Sequence, residues 1–188
     1  MSYLRAGSAV FTSMHDEWGD FSNMASGMPM TIAGVHIGRS ETLYQACRYP
    51  HLPQLQAEII KETNPMKAKL LSKKNYKLSR ADWDGVCVDV MRWCLQVKLK
   101  QNWERMSSTL AMSGSLDIVE ESARHDQFWG TVESRTVPTV LVGDNHLGCL
   151  WKEIRSEVNS GARTALTPVP LPLSIPNRML LGKAIPIL

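Results

Sequence analysis

The clearest pattern along the chain lies between Trp83 and Val97. Trp83, Val86, Val90, Trp93, Cys94 and Val97 recur at steps of three and four. That spacing predicts a core helix running to about Asn102. Ser79 is placed to cap it, with Asp82 three residues later returning the bond. Trp83 and Trp93 read as core, not as a cofactor box. A second stripe, Leu147, Leu150, Trp151, Ile154 and Val158, predicts a helix that Gly161 stops. Pro53 suits the first turn of a helix over Leu52 to Thr63, with Leu55, Ile59 and Ile60 inward. Asn64 is placed to cap and Pro65 to open another, Met66 to about Lys74. Trp103 to Met112 completes the helices, ended by Gly114.

The strand signals are shorter. Ser8 to Thr12, Leu116 to Glu120 and Val137 to Val142 are apolar runs of strand length. Met30 to Ile32 and Val35 to Ile37 flank Ala33-Gly34 and predict a hairpin. Two stretches, Asp16 to Met24 and Ala123 to Gly130, mix aromatics with acids, Gly and Ser and have no period. They read as ordered loops, whose aromatics either plug the core or wall a pocket. Thr164 to Leu188 holds five prolines and many Leu and Ile. It is too apolar for a typical disordered tail, so it is expected to pack on the domain.

Between these elements lies a short helix that Pro50 should stop near Arg48. Ser40 is a fitting N-cap. Leu43, Ala46 and Cys47 form an inward stripe, while Glu41, Tyr44, Gln45 and Arg48 fall at spacings that share a face. Either this dense polar face looks into a pocket, or Glu41 merely favours the positive helix start and Arg48 stands in water.

Composition narrows the class. With 188 residues and 44% apolar content, one soluble globular domain is expected. No apolar run approaches the roughly 20 residues of a membrane span, and the first residues lack the order of a secretory signal. Cys47, Cys87, Cys94 and Cys149 are scattered without a Cys-x-x-Cys pair, which argues against zinc and for reduced thiols in a cytoplasmic protein. His15, His36, His51, His125 and His146 have no ligand spacing, and no feature calls for a metal or cofactor. The net charge of +3 is unevenly spread. Lys67, Lys69, Lys73, Lys74, Lys77 and Arg80 crowd together, either as a solvated face or as a surface that meets phosphates.

Several ordered blocks carry a resemblance. They are Trp18-Gly19-Asp20-Phe21-Ser22-Asn23, Ser40-Glu41 through Tyr44-Gln45-Ala46, Asn64-Pro65 with Ala68-Lys69, and Arg80-x-Asp82-Trp83. Met91 with Lys98, Val119-Glu120, Asp126-x-x-Trp129-Gly130, and Gly143-x-Asn145-x-Leu147-Gly148 with Arg155 follow. Together they resemble the NADAR superfamily of N-glycosidases from Phe11 to Arg155. The resemblance implies an α+β fold, a mainly helical single domain with a small β-sheet over residues 1–163. Residues 164–188 would be an extension packed on it. It also implies hydrolysis of a ribose C1–nitrogen bond. Two substrate classes are known in the family: ribosylated intermediates of riboflavin synthesis, and ADP-ribose attached to guanine in nucleic acid or nucleotides. The second is favoured here because the basic stretch suits a phosphate-bearing substrate. The chain departs from riboflavin-type sequences in Cys47-Arg48-Tyr49-Pro50-His51 and in its tail.

Breaking such a bond develops positive charge on the sugar, which a carboxylate can stabilise, or which water activated by one can quench. Glu41 matches the family's central glutamate, and Asp126 is the candidate second carboxylate or else a loop cap. Lys69 is expected either to pair with a phosphate or to attack the opened sugar as an amine. Trp18, Phe21 and Asn23 are candidate pocket walls, with Tyr44 and Arg48 on the central helix. Trp129 and Gly130 are candidates beside Asp126, Trp129 as a stacking plate or as core. Asn145 and Gly148 belong to a turn whose amides would take a phosphate, unless Asn145 simply caps. A monomer is expected. A binding module holding ADP-ribose or nucleic acid without turnover is the alternative outside enzymology.

Overall fold

A computed structural model describes residues 1–172 and 175–188. In chain order the strands and helices begin with β1 (Ser2–Leu4), β2 (Ser8–Phe11), β3 (Met30–Ile32) and β4 (Val35–Ile37). The helices α1 (Ser40–Cys47), α2 (Pro53–Lys61), α3 (Pro65–Lys74), α4 (Trp83–Gln101) and α5 (Trp103–Met112) follow. Then come β5 (Asp117–Glu120), β6 (Val132–Glu133), β7 (Val140–Val142) and α6 (His146–Asn159), and last β8 (Met179–Leu180) and β9 (Lys183–Ala184). The class is α+β. The chain divides into two units, one of residues 1–25 and 103–165, the other of 26–102 and 166–188.

The first unit holds two small sheets. β1 and β6 flank β7, both antiparallel to it, and β2 runs parallel to β5 in the register Ser8–Asp117 to Phe11–Glu120. α6 lies against β5, and the fit depends on Gly148. A Cβ there would stand 1.9 Å from the Ile118 carbonyl oxygen, so only glycine allows this approach. Phe11, Phe21 and Trp151 fill the interior, and Trp151 Nε1 donates to the Phe21 carbonyl at 2.8 Å. The expected strand at Val137 is shorter than its apolar run. Val140 N turns back onto the Val137 carbonyl, so pairing begins only at Val140.

In the second unit β3 and β4 form the expected hairpin, with Ala33 and Gly34 both at positive φ. α1 packs against α2, α3 and α4. Asn64 Oδ1 accepts from the amides of Met66 and Lys67, so the predicted cap of α3 is present. The predicted cap of α4 is not. Ser79 Oγ instead donates to the Tyr76 carbonyl and accepts from Arg48. Asp82 occupies the N-cap position without a side-chain cap bond, its carboxylate held by Arg80 at 2.6 and 2.9 Å. That guanidinium holds the Asp82 carboxyl below its ordinary pKa. A fork to arginine is worth more to a carboxylate than one neutral cap bond.

Residues 166–172 and 175–188 pack within this second unit. Val169, Leu171, Ile175 and Leu180 are buried. The β8–β9 hairpin, which the sequence did not announce, turns at Leu181 and Gly182, both at positive φ. Gln56 of α2 is fully buried, although the apolar spacing of α2 gave it no inward role. Its Nε2 donates to the carbonyls of Ala46 and Met179, and its Oε1 accepts from Leu181 N. One amide thus ties the end of α1 to the C-terminal hairpin. A small cleft beside it is lined by Cys47, Pro50 and Arg80 and, from the tail, Leu171, Ile175 and Met179.

Candidate functional site

The predicted site residues fall in both units. Glu41, Tyr44, Arg48 and Lys69 belong to the second; Trp18, Phe21, Asn23, Asp126, Trp129, Gly130, Asn145 and Gly148 belong to the first.

All eight residues of α1 are buried. Ser40 is not its cap. Arg39 holds that position, and Ser40 starts the helix at 2% exposure. The apolar stripe of Leu43, Ala46 and Cys47 is inward as expected, but the polar side is enclosed as well. Burying polar groups is costly unless they are hydrogen-bonded, and Glu41 has such a partner. Its Oε1 accepts from Gln45 Nε2 at 2.8 Å, one turn along the helix. Glu41 is 4% exposed.

Tyr44 and Arg48 turn to a different neighbour, Trp83. The Tyr44 ring lies 5.0 Å from the Trp83 ring, and the Arg48 guanidinium carbon stands 5.1 Å from the same ring centroid. Arg48 Nε also donates to Ser79 Oγ at 2.6 Å. Arg48 therefore does not stand out in water. It is held by a cation–π contact and a hydroxyl. Burial pushes the Tyr44 phenol well above its ordinary pKa, with Cys87 and Glu41 adding to the rise, so Tyr44 is a neutral hydroxyl. Burial does the same to the Cys94 thiol, which is in hydrogen-bond contact with Cys47. Trp83 is core, as the stripe predicts, but it is also the plate on which two site candidates rest. The sequence hint was its place directly after Arg80-x-Asp82.

Lys69 is half-buried on α3, while Lys67, Lys73, Lys74 and Lys77 are exposed. Ala68 and Ser72 are the wholly buried residues of α3. Tyr49, just beyond α1, donates to the Ser72 carbonyl at 2.7 Å. One lysine was undervalued by sequence reasoning. Lys98 of α4 is 1% exposed, four residues beyond the buried Cys94. A cation on an apolar stripe was the available signal.

In the first unit the loop Asp16 to Met24 contains a 3-10 turn, Gly19–Phe21. Phe21 is not a pocket wall. It is fully buried, with Phe11 and Trp151 tilted against it and Trp18 stacked on it at 6.3 Å. Trp18 is partly exposed on the outer side of that stack, and Asn23 is 5% exposed. Asp126 braces its loop: Oδ1 accepts from the amides of Phe128 and Trp129, both at 3.1 Å. Its Oδ2 has no protein partner among the described residues. Trp129 is half-buried, edge-on to Phe128, and Phe128 lies 4.3 Å from the His146 ring. Gly130 is buried where a Cβ would come within 2.7 Å of the Glu120 carbonyl oxygen.

The expected phosphate cradle at the start of α6 is contradicted. The amides of Asp144, Asn145, His146 and Leu147 donate to the carbonyls of Gln127, Gly130, Phe128 and Trp129. They are not free for an anion. Asn145 holds the N-cap position of α6, but its side chain makes no cap bond. It sits in the left-handed region, its Nδ2 donating to the Ile118 carbonyl and its Oδ1 accepting from Glu120 N. Asn145 and Gly148 thus do packing work, the one splinting β5 and the other letting α6 approach it. Among the described residues no group of three or more His, Cys, Asp or Glu is placed to hold a metal ion. No helix there is long and apolar enough to cross a membrane.

Comparison with known proteins shows the family and the fold. N-glycosidase YbiA of Escherichia coli K12 is 30% identical over 148 residues, spanning 79% of this chain and 86% of the relative. A riboflavin biosynthesis protein of Vibrio vulnificus is 29% identical over 133 residues, 71% of this chain but only 34% of the larger protein. The solution structure of E. coli YbiA superposes with a TM-score of 0.68 at 28% identity, covering 83% of this chain and 88% of that one. The sequence model of the NADAR domain matches residues 8–159, and the chain belongs to the NADAR domain family.

Proposed function

We propose that this protein hydrolyses a ribosyl N-glycosidic bond, with Glu41 as the carboxylate that stabilises or quenches the sugar cation. The observation that carries the reading is the enclosure of Glu41 on a fully buried helix, with one oxygen fixed by Gln45. In the reaction water adds to the sugar carbon, the carbon–nitrogen bond breaks, and the proton from water ends on the leaving base. A fixed carboxylate suits that chemistry because its charge needs no reorganisation as the cation forms. Lys69 is the proposed cationic partner of a substrate phosphate. In the first unit taken by itself, Asp126 Oδ2 and the Trp129 ring are the groups proposed to meet a substrate.

The preferred substrate is ADP-ribose attached to guanine, in nucleic acid or in a nucleotide. The lysines of α3 and the following turn support a phosphate-bearing substrate. The second reading is a ribosylated riboflavin intermediate, which the likeness to a riboflavin biosynthesis protein favours. The protein is read as a cytoplasmic monomer that needs no cofactor. Incubation with each substrate class, followed by separation of the products, tests the proposal. Release of free ADP-ribose together with unmodified guanine nucleic acid or nucleotide supports the first reading. Exclusive turnover of the riboflavin intermediate replaces it with the second. Binding of ADP-ribose by calorimetry without hydrolysis of either class would make the protein a binding module.

A further inference from the structure

The basic run between Lys67 and Arg80 separates into three parts in the structure. Arg80 is buried and committed to Asp82 and to the Pro176 carbonyl. Lys69 is half-buried. Lys67, Lys73, Lys74 and Lys77 remain, all exposed and none with a carboxylate within ion-pair distance among the described residues. No acidic residue occurs between Glu62 and Asp82. Elsewhere Arg5, Arg105, Lys152 and Arg163 are neutralised by Glu121, Asp20, Asp117 and Glu157.

The four lysines do not stand alone. Leu70, Tyr76 and Leu78 are 44%, 56% and 50% exposed beside them. Lys67, Leu70 and Lys74 share one face of α3 by their three- and seven-residue spacing, with the two ammonium-bearing positions ~10 Å apart along the axis. Tyr76 and Lys77 continue the surface in the 3-10 turn Tyr76–Leu78. Cations interleaved with an exposed aromatic ring form the pairing that holds a single nucleic-acid strand: phosphates meet the lysines, and a base stacks on the ring.

We propose that the outer face of α3 and the turn after it bind a single strand of nucleic acid. Lys67, Lys73, Lys74 and Lys77 contact its phosphates, and Tyr76 stacks a base. This rests on the reading above, and narrows it to guanine carried in a polynucleotide. Charge complementarity selects the occupant. A lipid surface fits less well, because helices that lie on membranes present a broad apolar face. The wholly buried residues of α3 are only Ala68 and Ser72, which face inward.

The test is fluorescence anisotropy of a labelled oligothymidylate of about 15 nucleotides with the full chain across a salt series. Four phosphate contacts predict a slope of log K against log salt near −3, since each contributes about 0.7 for a single strand. Each Lys→Gln change should flatten the slope by about 0.7, and Lys→Arg should keep it. Tyr76→Ala should weaken binding at least ~5-fold with the slope retained. Unchanged affinity and slope after changing all four lysines to Gln would overturn the proposal. So would binding to phosphatidylserine vesicles with none to the oligonucleotide. The binding assay needs no turnover, so the two readings fail separately. Oligonucleotide binding without hydrolysis of ribosylated guanine defeats the activity and leaves the surface standing. Hydrolysis with no lysine-dependent preference for polynucleotide over mononucleotide substrate defeats the surface alone.

Discussion

Gln45 Nε2 reaches Glu41 Oε1 at 2.8 Å, and both side chains are buried. A carboxylate enclosed in this way gains from every fixed donor, because an uncompensated buried charge is expensive. Glu41→Gln keeps the shape and removes the charge. Turnover should fall about 10²–10⁴-fold, the range for lost general acid–base groups. Gln45→Leu, which removes only the orienting donor, should cost less. Near-full activity in folded Glu41→Gln protein would take Glu41 out of the mechanism.

The legible part of this fold was its apolar periodicity. The stripe from Trp83 to Val97 gave α4, and the stripe from Leu147 gave α6, because a buried helix face repeats locally. What depended on distant partners was not legible. Ser79 and Asp82 had a capping spacing, yet Arg48 and Arg80 claimed them. The amides of residues 144–147 read as free in sequence, but the carbonyls of 127–130 take them. Gln56 had no signal, since its partners are backbone groups of Ala46, Met179 and Leu181. For the candidate site, motif positions offered Glu41 and Lys69 only as candidates. The roles of Phe21, Asn145 and Gly148 became readable only with their neighbours in place.

Gln56→Leu offers a direct measure of how firmly the C-terminal hairpin is held. The change strands the Ala46 and Met179 carbonyls and the Leu181 amide in the interior. Unpaired buried groups cost about 1–3 kcal/mol each, so a loss of ~3 kcal/mol is expected after relaxation. Urea unfolding should show it, and limited proteolysis should cleave within residues 166–188 first. An unchanged midpoint would mean that those groups find other partners.

Gly148→Ala should act on stability and not selectively on substrate binding. The added Cβ meets the Ile118 carbonyl oxygen at 1.9 Å, so α6 must move off β5. Overpacking of this kind costs about 3 kcal/mol or more. A lowered melting temperature is the expected result. A stable variant with only a raised KM would return Gly148 to substrate binding.

Alkaline pH should destabilise the protein from about pH 9 upward. Burial raises the thiols of Cys87 and Cys94 above their ordinary 9.0, and the Tyr44 phenol above its ordinary 10.0. Tyr3 is pushed up to about 12, again chiefly by burial. Each group holds its proton more tightly folded than unfolded. Its contribution is complete below the unfolded pKa and is lost as pH rises through the folded one. Melting temperature measured from pH 7 to 11 should therefore fall on the alkaline side, and Cys94→Ala should soften the fall. A flat profile would show that these groups titrate as in the unfolded chain.

Lys69 separates two chemistries on one side chain. It is half-buried, while Lys67, Lys73, Lys74 and Lys77 are exposed. A phosphate clamp needs only its positive charge, so Lys69→Arg should keep much of the activity and Lys69→Ala should mainly raise KM. A Schiff-base nucleophile needs the free amine. Arginine and alanine should then both abolish turnover, and borohydride added during turnover should leave an adduct on Lys69 visible by mass spectrometry. The cationic role is the expected one. A lysine acts as an amine nucleophile only when strongly desolvated, and Lys69 is only half-buried. Wild-type activity in Lys69→Ala would defeat both roles and return this lysine to the solvated basic face.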